Sequence, residues 1–585
     1  MIDNVPEVKL IAKAHPNIFV ISSDTELINE LFKHIEDYEY QFVGSAFEKS
    51  DILHKIKEVS PHLILLDADE ESLDLIDITK EIEKKNIPVI IIVGMRFNEI
   101  IDEIMTSTPY GYLIKPIDKD ETQRAMAVVL RKHEQNTLDV IEAKNKIKEK
   151  NTELLIEKFD SSMLLVLCLS LIAMTVLTRS ATWLQWVLLI PTVAMLINAI
   201  ASVRNVDPVE EYEYLPTVSI FIPAHNEEST IESTVRSVFE SDYHDENGPR
   251  FEVIVVNDGS TDTTGEILSN LKEELPSLKI VTRHPPRSGK GKGFVLNDAL
   301  TLSTGEIIGV FDADTRIKKD YLQKVVKYVA DPEIDGVQSR VKMYNKNENY
   351  LARMQQLEFG SFGNTLRAKD NLGKTGFLGG NGQFVKKSSI VNSGRWDGFA
   401  VTEDLNLAVK IMIKGGKIRY CGEAAVYQEA VTEWKAFFRQ RVRWAIGNFE
   451  TLFIYLPQIL RAKIPIAKKF GIIEHISFYS FNLLIFFGFL VTIMNAISWF
   501  LLQNVTVIRM EAPFIVGVLS VLSFFPGLML SLSRDDPTIT EFFKDIVKYY
   551  IFCFHLIPLF FMTMHTMMTR KERKWAKTEH KGGKK

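Results

Sequence analysis

The sequence predicts a multidomain α/β protein with membrane-spanning helices. Three observations carry that expectation. Short apolar runs alternate with helix-like stretches over residues 1–130, and the alternation resumes from Val218; this is the pattern of largely parallel sheets covered by helices. Between and after these regions lie apolar segments long enough to cross a bilayer. Hydrophobic residues make up 46% and charged residues 25% of 585 residues, with a mean hydropathy of +0.02, so globular sequence and strongly apolar spans are averaged together. The net charge of −6 argues against nucleic acid as a partner. Cys168, Cys421 and Cys553 lie far apart, which supports neither a disulfide framework nor a zinc site. The N-terminus lacks the apolar run of a cleavable signal peptide, so the first domain is expected in the cytosol.

Residues 1–132 read as a first domain. NIFVIS (17–22), HLILLD (62–67), PVIIIV (88–93) and YGYLIKP (110–116) are expected to be strands of a doubly wound sheet, whose ligands sit at the strands' carboxyl ends. Asp67 and Lys115 fall there. This stretch resembles a response-regulator receiver domain, a flavodoxin-like fold. The resemblance puts Asp67 at the phospho-acceptor position and Lys115-Pro116 at the family's lysine-proline, and implies a histidine kinase or another signalling partner. Ser22 and Ser23 stand where the family has its magnesium-binding acidic pair, Asp24 is displaced by one, and Val93 replaces a Thr/Ser. Phosphoryl transfer depends on that metal, so the departures favour a degenerate receiver over a phosphorylatable one. Residues 133–160 read as a solvated connector helix.

Residues 161–204 are expected to form two transmembrane helices, 162–178 and 183–203, joined by a tight hairpin. Lysine-rich sequence before the first places its start in the cytosol and returns the chain there before Val218.

Residues 215–450 carry the chemistry. VSIFIPAHNEES (218–229) and VIVVNDGSTD (253–262) each read as a buried strand ending in a polar loop. IIGVFDADT ends a strand on Asp312 and Asp314, two carboxylates two residues apart that suit a divalent cation with oxygen ligands. RSGKGKGFVLNDAL offers Lys290 and Lys292 in a glycine-rich turn before a helix, an arrangement suited to a pyrophosphate. FAVTEDLNLAVKI places Glu403 and Asp404 at a helix start, where a carboxylate can act as general base or serve only as a favourable charge at the helix N-terminus. QRVRW (440–444) carries an indole, which can stack on a ring, and a guanidinium, which can pair with phosphate; the same stretch also reads as an amphipathic interfacial helix.

In this order the motifs resemble family 2 glycosyltransferases, the inverting GT-A enzymes that include cellulose, chitin and hyaluronan synthases. The resemblance implies donor contacts at Pro223, Glu227, Asp258, Lys292 and Asp312, and Mg²⁺ or Mn²⁺ at Asp314 with Asp312. It makes Asp404, beside Glu403, the catalytic base, and assigns acceptor and diphosphate binding to Gln440, Arg443 and Trp444. The glycine-dense TGFLGGNGQFVKK (375–387), expected to precede a helix, differs from the cysteine-containing loop of cellulose and chitin synthases. It is closer to glucosyl- and mannosyl-transferring relatives, including glycolipid synthases.

Residues 451–472 are expected as interfacial helices on the cytosolic leaflet, residues 473–570 as further transmembrane helices (473–502, 513–532 and about 547–568), and 571–585 as a basic cytosolic tail. Five spans would put that tail outside, against the positive-inside tendency, so one block is re-entrant or one crossing is unrecognised. The expectation is therefore a multi-pass plasma-membrane enzyme with both soluble domains cytosolic. It would transfer a sugar from a UDP-sugar to a growing β-linked polysaccharide, coupled to translocation. Two rivals stand beside it: a glycolipid synthase acting on a diacylglycerol or polyprenyl acceptor, and a non-catalytic sensor.

Overall fold

The computed structural model describes residues 16–133 with internal gaps, scattered positions from 170 to 203 and from 497 to 501, residues 215–479 except Pro286 and Lys374, and residues 539–569. Nearly all of the connector and much of the first transmembrane pair lie outside the described residues, as do the 513–532 block and the basic tail. The chain divides into two compact units, Met1–Ile147 and Lys148–Lys585.

In the first unit, β1 (Asn17–Ile21), β2 (Gln41–Ala46), β3 (Leu63–Asp67), β4 (Val89–Val93) and β5 (Gly111–Ile114) form one sheet in the order β2-β1-β3-β4-β5. Every pairing is parallel. β1, β3 and β4 are buried throughout, because both faces are covered; their sequences therefore run as unbroken apolar residues rather than alternating. On one face Phe19 and Ile21 pack with Ile52 and Ile56 of α2 (Lys49–Val59). On the other, Ile18 and Val20 meet Leu27, Leu31 and Ile35, the single apolar stripe of α1 (Thr25–Glu36).

The second unit is built on a seven-stranded sheet, ordered β10-β9-β6-β11-β13-β12-β14. Its strands are β6 (Val218–Ala224), β9 (Phe251–Asn257), β10 (Lys279–Thr282), β11 (Ile307–Val310), β12 (Gly336–Met343), β13 (Gln383–Lys386) and β14 (Ile418–Gln428). β7 (His244–Asp245) and β8 (Gly248–Pro249) make a small separate ribbon. β10, β9, β6 and β11 run parallel, whereas β13 enters antiparallel to both β11 and β12. The helices in chain order are α3 (Ile231–Phe239), α4 (Thr264–Glu274), α5 (Lys292–Leu302), α6 (Tyr321–Ala330), α7 (Tyr350–Gly373), α8 (Lys387–Asn392), α9 (Glu403–Ile413), α10 (Trp434–Arg461), α11 (Ile466–Ile476), α12 (Ile539–Cys553) and α13 (Leu556–Thr569). Alternate residues of β6 and β9 pack on α3, α4 and α6 in one core.

The helix expected after the glycine-rich loop is present as α8, and between loop and helix Gln383–Lys386 form β13. Two helices run across expected boundaries. α10 passes residue 450 and continues to Arg461; its buried Tyr455 donates to Asn406 Oδ1 of α9 at 3.1 Å. The apolar block from Ile473 begins inside α11, whose Ile472 and Ile476 are buried and whose Glu474 pairs with buried Lys369 of α7. Among the described residues one helical segment, Thr540–Met567, is long and apolar enough to cross a membrane, and it overlaps the last predicted span. Its α12 portion is fastened to α7, where Arg353 bonds Asp545 through two nitrogens at 2.9 and 2.7 Å.

Candidate active site

The parallel strands β9, β6 and β11 end side by side, so the loops that follow them converge. Ala224 and Asn257 are paired in register, and Asp258 N–H donates to Ala224 O at 2.8 Å. Asp312 and Asp314 follow β11 directly. Because β13 runs antiparallel to β11, the glycine-rich loop feeding it arrives at this same edge; Gly382 N–H donates to Val310 O at 2.9 Å. α9 and α10 supply the remaining wall. The result is one cavity of about 460 Å³.

All eleven residues expected in the catalytic site line it: Pro223, Glu227, Asp258, Asp312 and Asp314 at or just beyond strand ends, Lys292 at the start of α5, Glu403 and Asp404 at the start of α9, and Gln440, Arg443 and Trp444 on α10. Lys290 is not among the lining residues, so the glycine-rich turn contributes Lys292. The lysine's Nζ lies 2.6 Å from Asp312 Oδ1 and 3.7 Å from Glu403 Oε1. Burial works against its charge, but those carboxylates outweigh it and hold the ammonium above the ordinary lysine range. Asp404 goes the other way. Burial and the neighbouring Glu403 push its carboxyl up to about 7, opposed by Lys292 and by the Leu405 N–H, which donates to Oδ1 at 2.8 Å. An acid that loses its proton near neutrality inside a cavity is suited to proton abstraction.

The glycine-rich loop meets this carboxylate. Gly380 has a φ of +76°, and a methyl group there would lie 2.9 Å from Asp404 Oδ2 and 3.6 Å from Lys292 Nζ. Asn381 braces the other side: its Oδ1 accepts from Thr315 Oγ1 at 2.9 Å, and its Nδ2 donates to Gln428 Oε1 at 2.8 Å. Asn297, five residues after Lys292, clasps the Trp396 backbone, donating to its carbonyl at 2.8 Å and accepting its N–H at 3.2 Å. That spacing therefore locks α5 against the segment leading to α9.

Asp258 is buried and held by Arg283, whose Nη1 lies 2.5 Å from Oδ1, while Gly289 N–H donates to Oδ2 at 3.1 Å. Glu227 accepts from Thr230 Oγ1 at 3.2 Å. Asp314 Oδ2 accepts from Glu429 N–H at 2.9 Å. Arg443 lines the cavity from α10.

The donor set fits a hard divalent cation. Asp312, Asp314, Glu403 and Asp404 line the cavity with Lys292 and Arg443, an excess of negative charge. Asp312 and Asp314 supply two carboxylates, and among the described residues no third His, Cys, Asp or Glu completes a cage with them. Sequence reasoning missed Glu358 and Arg441, which meet behind Gln440 and Trp444. Arg441 lies inside the quoted QRVRW, but nothing local marks it as buried.

In the first unit the sheet brings together the predicted pair. Lys115 Nζ lies 2.8 Å from Asp67 Oδ1 and 3.0 Å from Asp69 Oδ2. Burial opposes the ammonium, yet these carboxylates raise its pKa. Ser22 Oγ donates to Asp67 Oδ2 at 2.9 Å. Asp24 accepts the N–H groups of Glu26 and Leu27 at 2.9 and 3.2 Å, the bonds of a helix N-cap.

Residues 216–447 match the family described as "Glycosyltransferase like family 2". The probable glycosyltransferase YdaM of Bacillus subtilis is 30% identical over 389 residues, covering 64% of this chain and 90% of that protein. This chain belongs to the family 2 glycosyltransferases. The glycosyltransferase is also 36% identical over 240 residues to the beta-monoglucosyldiacylglycerol synthase of Synechocystis, covering 41% of this chain and 49% of that one. To the poly-beta-1,6-N-acetyl-D-glucosamine synthase of Staphylococcus aureus it is 27% identical over 250 residues, covering 42% and 58%. It thus spans about half the length of these two relatives.

Proposed function

We propose that this glycosyltransferase is a membrane-embedded inverting enzyme that moves a hexose from a UDP-sugar to the end of a growing β-linked glycan. The observation that carries the reading is Asp404: a half-buried carboxylate whose pKa is pushed up to about 7, facing the same cavity as the strand-end carboxylates and the QRVRW wall. Asp258 and Glu227 bound the nucleotide end. Lys292 and Arg443 take the diphosphate. Asp312 and Asp314 would hold Mg²⁺ or Mn²⁺, which when bound neutralises charge on the departing UDP. Asp404 accepts the proton of the acceptor hydroxyl as that oxygen forms its bond to the anomeric carbon, and the bond to the diphosphate breaks on the opposite face. Trp444 offers an aromatic face to the acceptor sugar.

The polymer reading rests on QRVRW and on the poly-N-acetylglucosamine synthase relative. A glycolipid product is favoured by a different observation: Phe359, Phe362, Phe478, Phe552 and Leu556 continue the cavity as an apolar wall into the Thr540–Met567 segment, which suits an acyl or polyprenyl acceptor. Incubating the purified full chain with a panel of UDP-sugars and sizing the product separates them. High-mass glycan supports the first reading, and only organic-soluble label supports the second. No UDP release with any donor rejects both, and Asp404→Asn retaining full rate rejects the assignment of the base.

The first unit is read as a regulatory receiver-like domain, on its β2-β1-β3-β4-β5 order and the Asp67–Lys115 pair. Ser22 in place of an acidic residue argues for signalling without phosphorylation. Deleting residues 1–130 is expected to change rate but leave donor choice intact; altered donor choice would overturn this role.

A further inference from the structure

Arg441 is wholly buried, although it sits one residue after Gln440 on a helix whose next turn faces the cavity. Burying a guanidinium is costly unless it is well paired, so its partners are informative. Nη2 makes a short ion pair with Glu358 of α7, and Nη1 donates to Gln440 Oε1 at 2.9 Å. The guanidinium carbon stands 4.0 Å from the Trp444 ring centroid and 4.6 Å from that of Phe437, both within cation–π range. Phe359, next to Glu358, meets the Trp444 ring edge-on at 6.1 Å. Glu358, Phe359, Gln440 and Trp444 line the cavity; Phe437 and Arg441 do not.

We propose that Arg441 is a positioning residue that sets Trp444, Gln440 and Glu358 as one acceptor-binding unit, and that Glu358 is an additional acceptor contact. An indole face flanked by an amide and a carboxylate is the chemistry that recognises a sugar ring bearing several hydroxyls: the ring stacks and its edge hydroxyls donate. A single guanidinium fixes all three, so their mutual geometry is set before acceptor arrives. Glu358 keeps 28% of its side chain exposed, which leaves it accessible from the cavity while Arg441 holds it from behind.

The inference rests on the acceptor role given above to QRVRW, and its test has one arm independent of turnover. In full-length protein carrying 5-fluorotryptophan, the Trp444 resonance is identified among seven tryptophans by its loss in Trp444→Phe. Arg441→Met and Arg441→Lys are expected to shift or broaden that resonance. Both should raise the acceptor KM about tenfold or more, the scale of a lost charged hydrogen bond, with the donor KM unchanged. Glu358→Gln is expected to raise the acceptor KM while leaving the donor KM alone. Arg441→Lys keeps the buried charge, so it serves where Arg441→Met does not fold. An unchanged Trp444 resonance in folded Arg441→Lys overturns the positioning role. An unchanged acceptor KM in Glu358→Gln overturns the contact. If the wild-type chain shows no acceptor-dependent transfer, the functional reading fails, while the resonance still decides whether Arg441 positions Trp444.

Discussion

Replacing Gly380 with alanine tests how tightly the glycine-rich loop constrains the proposed base. Two effects add. The φ of +76° is left-handed, and an L-residue there costs about 1–2 kcal/mol. The new methyl would also lie 2.9 Å from Asp404 Oδ2, inside the separation real side chains keep, so the carboxylate or the loop must move. Misplacing a catalytic group by up to about 1 Å costs on the order of 10²-fold in rate. Gly415 supplies the control: its φ is +94° and a methyl there would meet nothing within 4 Å. It lies eleven residues beyond Asp404, along a helix rising about 1.5 Å per residue, so its strain is remote from the cavity. In urea unfolding Gly415→Ala should lose the backbone strain alone, and Gly380→Ala that strain plus the cost of displacing the carboxylate. Only Gly380→Ala should lose about 10²-fold in kcat, read as UDP release. Equal rates in the two variants would refute the claim that the loop holds Asp404 in place.

Other outcomes follow from the same contacts. Because Asp404 acts as the carboxylate, kcat/KM should rise with pH through about 7 and then level off; a flat profile from pH 5 to 8 would remove it as the base. The same shift makes its contribution to stability present below the unfolded pKa of about 4 and lost as pH rises through about 7, a trend Asp404→Asn should abolish in urea titrations. Asp314→Asn should raise the Mn²⁺ concentration giving half-maximal rate by about tenfold or more, and an unchanged requirement would move the metal elsewhere. Asn297→Ala removes both bonds to the buried Trp396 backbone and should destabilise by about 1–3 kcal/mol in urea; a loss below about 0.5 kcal/mol would mean the clasp is idle.

Much of the second unit was legible because its strands are buried on both faces. Such strands spell themselves as apolar runs, and the polar residues that close each run mark the carboxyl edge; Asp258, Asp312 and Asp314 were found that way. What joins α5, α9 and α10 to that edge is tertiary and left no local pattern. Arg441 reads as one more solvated cation, because its burial is created by α7 and by Phe437, far apart or not adjacent in sequence. The loop 379–382 could be seen to be glycine-dense, but its approach to Asp404 depends on β13 reversing direction beside β11. The helix expected after that loop is present as α8, but the short strand β13 between them left no signal of its own. Asp24 was within one residue of the expected metal position, yet its carboxylate caps α1. Membrane parity was not legible at all, since apolar length alone does not separate a crossing from a re-entrant or docked segment.

α10 has a mechanical consequence. The helix holds Gln440, Arg443 and Trp444 in its first half and continues for 28 residues in all, to a far end that packs against α11. At about 1.5 Å per residue it is a rod of roughly 40 Å, anchored near its start by buried Arg441 and near its end by Tyr455. Rods do not absorb displacement; they relay it. A displacement of α11 or α13, which both pack on α10, is therefore expected to reach the indole at Trp444, so the set of that ring and the posture of those helices are coupled.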